Sequence, residues 1–81
     1  MQRNEVDAAI AEYTQALKID PKDAIVHNNL GFAFAAKGDL DSAVQHYRSA
    51  LQLQPSYDRA RANLVAALAK ASGAAFKSRL Q

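Results

Sequence analysis

Displaced by 34 residues, the sequence lies down on itself: Asp7 falls on Asp41, Ala9 on Ala43, Tyr13 on Tyr47, Ala16 on Ala50, Leu17 on Leu51 and Pro21 on Pro55. Beyond the proline the register holds, with Asn29 on Asn63, Leu30 on Leu64, Ala33 on Ala67 and Ala35 on Ala69. Aromatic, small, polar and proline positions all take part, so alanine richness does not account for the match. A period of about 34 residues belongs to stacked helical hairpins, in which no unit buries its apolar face alone and neighbours cover one another.

Local signals place the helices inside the period. Asp23 is positioned to cap a helix over about 24–37, and Gly38 to end it, because glycine takes the positive φ that satisfies the last carbonyls. Asp39 then caps a helix that runs to about residue 54, with Asp41 in the first turn at the positive end of the helix dipole, and Pro55 forbids continuation. The same grammar predicts an earlier helix over about 5–19, stopped by Pro21, and a later one over about 57–71, stopped near Ser72 and Gly73.

These residues carry a resemblance. His27, Leu30, Gly31, Phe34, Gly38, Ala43, Tyr47, Ala50 and Pro55 stand at the offsets of a tetratricopeptide repeat, with His27 where that family usually has Trp or Tyr. The resemblance implies an all-α fold, an α-solenoid of antiparallel helix-turn-helix units with about four helices in an open right-handed superhelix. Residues 4–21 are then the second helix of a truncated repeat, 24–57 a complete repeat, and 58–81 the first helix of a further repeat plus a C-terminal cap or tail. Gly31 and Ala43 let the two helices of one unit approach, Ala50 does the same toward the next unit, and Tyr47, Phe34 and Leu30 fill the space beside them. In the last unit the pattern weakens, since Arg61 replaces the aromatic and Val65 stands where a small residue is wanted.

A thin core follows from the size. A chain of 81 residues buries only about 60% of the surface it exposes when unfolded. With about three units needed for a stable stack, the chain reads as part of a longer array whose open ends favour self-association. Val6, Ile10, Tyr13 and Leu17, without a preceding helix, are expected to leave apolar surface bare. Charge gives that contact a direction: residues 1–58 hold five Lys and Arg against eight Asp and Glu, whereas 59–81 hold five Lys and Arg and no acid. Head-to-tail contact is favoured over a meeting of like ends.

Residues that packing does not claim define the candidate site. On the first helix of the complete unit, Ile25, Asn28, Asn29, Phe32, Ala35 and Ala36 form a stripe about 200° round from the packing stripe. Their equivalents in the last unit are Arg59, Ala62, Asn63, Ala66, Ala69 and Lys70. The resemblance implies that this stripe lines a concave groove for peptides, with Ile25, Asn28, Asn29, Phe32, Arg59, Asn63, Ala66 and Lys70 as its contact residues. Asparagine is a poor helix former, so its recurrence at positions 29 and 63 needs a reason. A side-chain amide matches both the N–H and the C=O of an extended peptide; the alternative is a bond to the neighbouring helix or to water. Arg59 and Lys70 suit an acidic segment or a C-terminal carboxylate.

Other classes of function find little support. The chain has no Cys, and no Gly-rich phosphate loop or nucleophile elbow is present, so no catalytic residues and no cofactor are assigned. The Asp39-Leu40-Asp41 run lacks the later glycine and glutamate of a calcium loop, with Val44 and Ala50 at those places. His27 is expected to fill an aromatic core position and His46 to lie on the surface, so no metal site is assigned. The few aromatics are committed to packing, which speaks against nucleic acid. No apolar run approaches the roughly 18 residues of a membrane span, and a cysteine-free chain without a signal-peptide pattern reads as cytoplasmic. The leading reading is a scaffold that binds a peptide segment of a partner protein. A self-assembly module forming a dimer or filament is the alternative, followed by a substrate-selecting segment of a larger enzyme.

Overall fold

The computed structural model describes the backbone of residues 2–80 and the side chains of residues 2–73. Four helices follow one another: α1 (Arg3–Ile19), α2 (Ala24–Lys37), α3 (Leu40–Leu53) and α4 (Asp58–Leu80). Among the described residues no strand occurs. The helices form antiparallel hairpins in which α1 packs on α2, α2 on α3 and α3 on α4, with a smaller contact between α2 and α4. The body measures 44 × 31 × 17 Å. Its least dimension fits two layers of helices, each about 10 Å across.

The caps are where the sequence places them. Asp23 accepts hydrogen bonds from the N–H groups of Ile25 and Val26, and Asp39 accepts from Ser42 N–H. Ser42 Oγ also donates to Asp39 at 2.8 Å, and these two bonds hold the Asp39 carboxyl below its ordinary range. Gly38, at φ 93°, turns the chain from α2 into α3 by donating to the Ala35 and Phe34 carbonyls.

Small residues set the helix spacing. A Cβ added to Gly31 would lie 2.7 Å from Tyr47 Cε1 and 3.1 Å from the Ala43 carbonyl oxygen, so the Tyr47 ring rests directly on the α2 backbone. Ala43, Ala50 and Ala60 are fully buried and Tyr47 is 2% exposed. Tyr47, Ala43 and Ala67 form one cluster, flanked by Phe34, Leu40, Val44 and Leu64. Ala24, Ala50 and Ala60 form the other, where α2, α3 and α4 converge against Leu51 and Tyr57.

Two expectations are corrected. The apolar face of α1 is not bare: Val6 is 3% exposed, and Ile10, Tyr13 and Leu17 are half-buried, because α2 covers them. Nor does α4 stop near Ser72 and Gly73; it continues to Leu80. Gly73 has no positive φ, and Ser72, not glycine, stands 34 residues after Gly38. No proline follows, so the helix absorbs the glycine at a cost of about 1 kcal/mol.

Candidate functional site

The stripe left over from packing comes together between α2 and α4, the first helices of successive units. One hollow of about 250 Å³ is lined by Asn28, Asn29, Phe32, Arg59 and Asn63. A second, of about 190 Å³, shares Phe32 and Asn63 with it and continues along Ala35, Leu40, Tyr47, Ala66, Ala67 and Lys70. Seven of the eight candidate residues therefore line one continuous groove. Ile25 lines neither hollow but lies exposed on the same helix. Leu40, Tyr47 and Ala67 were not anticipated as lining. They pack the core, and nothing in the repeat pattern signals that their edges also floor the groove.

The two walls differ in chemistry. The α2 wall offers apolar surface, with Ile25 59% and Phe32 57% exposed. The α4 wall carries the exposed cations Arg59 and Lys70. Between them the amides are not equivalent. Asn28 is 3% exposed and accepts a hydrogen bond of 3.0 Å from Asn63 Nδ2, so its side-chain oxygen is already engaged with α4 where it lines the hollow. That bond ties α2 to α4 and fixes the Asn63 amide, leaving its carbonyl oxygen and second N–H for another partner. Asn29 is half-buried at the rim of the same hollow.

Asn63→Ala is accordingly expected to reduce stability by about 1–3 kcal/mol, the cost of leaving the buried Asn28 carbonyl oxygen without its donor. Urea unfolding followed by circular dichroism measures this. A loss below about 0.5 kcal/mol counts against a structural bond.

The two positions that depart from an aromatic behave alike. His27 Nε2 lies 2.9 Å from the Pro21 carbonyl oxygen, and Arg61 Nη2 donates to the Pro55 carbonyl oxygen. Each clips the turn that leads into its own helix. Arg61 also pairs with Asp58 at 3.1 Å, so its charge is engaged away from the groove. His46 is half-buried, against the surface position expected from its own helix. Its ring stacks with Phe34 at 5.6 Å and with His27 at 5.5 Å. Burial, and secondarily His27, lowers its pKa. The hollow between α1 and α2, of about 260 Å³, is lined by Arg3, Val6, Ala36 and Lys37 and sits beside the exposed Lys37–Asp7 ion pair of 2.9 Å. Among the described residues no group of three or more His, Cys, Asp or Glu is placed to hold a metal.

Family comparison agrees with this architecture. A family model described as TPR repeat matches residues 1–38, and one described as tetratricopeptide repeat matches residues 24–57. The chain belongs to the tetratricopeptide-repeat family. The second match spans α2, the Gly38 turn, α3 and the Pro55 turn, with Gly31 and Tyr47 in contact inside it. Tetratricopeptide repeats are protein-interaction modules. Both matches end before α4, the helix that carries Arg61, Val65 and the run through Gly73. No helix among the described residues is long and apolar enough to cross a membrane.

Proposed function

We propose that this tetratricopeptide chain is a scaffold that takes an extended, acidic segment of a partner protein into the groove between α2 and α4. The observation that carries the reading is the convergence of Asn29, Phe32, Arg59, Asn63, Ala66 and Lys70 on two adjoining hollows. An extended segment brings unpaired backbone N–H and C=O groups, which Asn29 and the remaining valences of Asn63 match. Its apolar side chains find Phe32, and its carboxylates find Arg59 and Lys70.

The test is calorimetric titration with acidic peptides of the candidate partner. Asn29→Ala and Arg59→Glu are the variants of choice, since Asn63 also holds the fold. Arg59→Glu is expected to weaken binding about tenfold or more, equivalent to about 1.4 kcal/mol, and to flatten its salt dependence, with helicity preserved. Equal affinity in both variants rejects the groove as the site.

Self-assembly is the second reading, favoured by Val65 at 61% and Leu68 at 39% exposure on α4 together with the acidic front and basic back of the sequence. Light scattering separates the two readings, because assembly requires a mass that rises with concentration and falls with salt.

A further inference from the structure

We infer that His27 and His46 form a proton-sensitive latch that closes α2 on α3. The argument begins at a carbonyl. The Pro21 oxygen can only accept, so His27 Nε2, 2.9 Å away, carries a hydrogen. Neutral His27 therefore presents a lone pair at Nδ1, and His46 donates its Nδ1–H across the 3.3 Å that separate the two atoms. One backbone oxygen thus sets the tautomers of both rings.

Protons disturb this arrangement asymmetrically. A first proton on His27 enters at Nδ1 and keeps the bond only if His46 gives up its Nδ1–H for the Nε2 tautomer, so that one hydrogen still lies between the two Nδ1 atoms. A second proton places N–H groups face to face and breaks the bond. A proton added to His46 enters at Nε2 and spares the bond, but it charges a half-buried ring stacked on Phe34. The pair holds at most one added proton while the latch is closed.

Among the described residues no carboxylate is paired with His46. Along α3, the positions one turn from His46 are Ser42 and Ala43 on one side and Ser49 and Ala50 on the other. From α2 its ring meets His27 and Phe34. In the turn before α2, Asp20 accepts from Lys22 N–H and Asp23 from Ile25 and Val26 N–H. Among the described residues, burial and then the neighbouring His27 are what lower the His46 pKa. The next unit supplies an internal contrast: Arg61 makes the same contact to its own proline carbonyl with a guanidinium, which has donors and no acceptor, so the two-ring arrangement is confined to the α2–α3 hairpin.

The sign follows from proton counting. Unfolded, both imidazoles take up protons near pH 6.5; closed, the pair takes up fewer, so stability is full above that pH and is lost as pH falls through the histidine range. Loss through Asp39, whose carboxyl titrates below the ordinary range, belongs to more acid solution.

Thermal unfolding of the chain and of His46→Phe at pH 7.5 and 5.0 tests the latch. The parent is expected to lose about 4–8 °C of Tm on acidification, the shift that a bond of ordinary strength produces in a domain of this size. His46→Phe, which keeps an aromatic ring and removes the proton, should lose less than half as much. Nitrogen-15 spectra of the parent at pH 7.5 should show His27 protonated at Nε2 and His46 at Nδ1. Equal acid loss in parent and variant overturns the latch, as does either ring in the opposite tautomer.

Discussion

Tyr47→Ala is expected to destabilise the chain by about 3–5 kcal/mol, the range for removing a large buried aromatic. Tyr47 is 2% exposed and occupies the space that Gly31 and Ala43 leave open between α2 and α3. The surroundings have little means of closing over the void, because the backbone of α2 is already in contact with the ring. At roughly 0.05–0.15 kcal/mol per residue a chain of this length has about 4–12 kcal/mol in total, so the variant should lose from about a quarter of its stability to all of it. Urea titration at 222 nm measures the loss. A change under about 1 kcal/mol means that the hairpin does not depend on this ring.

Gly31→Ala is expected to be destabilising even though it replaces a poor helix former with the best one. Propensity favours the change by about 1 kcal/mol. Against it, the new methyl would sit 2.7 and 2.8 Å from two atoms of a pinned ring and 3.1 Å from a backbone oxygen. Overpacking of this kind costs about 1–3 kcal/mol or more, and with three close contacts placing this site toward the upper end, steric conflict should win by up to about 2 kcal/mol. The cause is separable by a double-mutant cycle. In a Tyr47→Leu background the obstructing ring carbons are gone and Gly31→Ala should become neutral or stabilising. Persistence of the same loss there assigns the effect to the Ala43 carbonyl instead.

How much of this was legible in the sequence depends on how far apart the deciding atoms lie. The caps at Asp23, Gly38 and Asp39 act on N–H and C=O groups within a few residues, and the helix bounds they imply are those observed. The contact of Gly31 with Tyr47 was readable because the family offsets encode a pair of complementary shapes. Gly73 misled for a physical reason: a glycine ends a helix only when the chain takes up positive φ there, and nothing in residues 74–81 calls for a turn.

The groove was legible as a stripe and less so as chemistry. Repeat alignment pairs Asn29 with Asn63, but the hydrogen bond joins Asn63 to Asn28, 35 residues apart. A cross-helix bond one residue out of register is invisible to a 34-residue comparison. His46 was read along its own helix, where it has no partner; both of its ring contacts come from α2.

The pattern of helix contacts has a thermodynamic consequence. Among the described residues α1 touches α2 but neither α3 nor α4, so folding energy is collected along a line instead of around a shared centre. In such a body each interface contributes its own nearest-neighbour free energy. Unravelling begins at a terminal helix and advances one interface at a time, and α2 with α3, flanked on both sides, is the last pair to open. Fraying of α1 therefore leaves intact both groove-forming helices and the α3 hairpin partner that braces them.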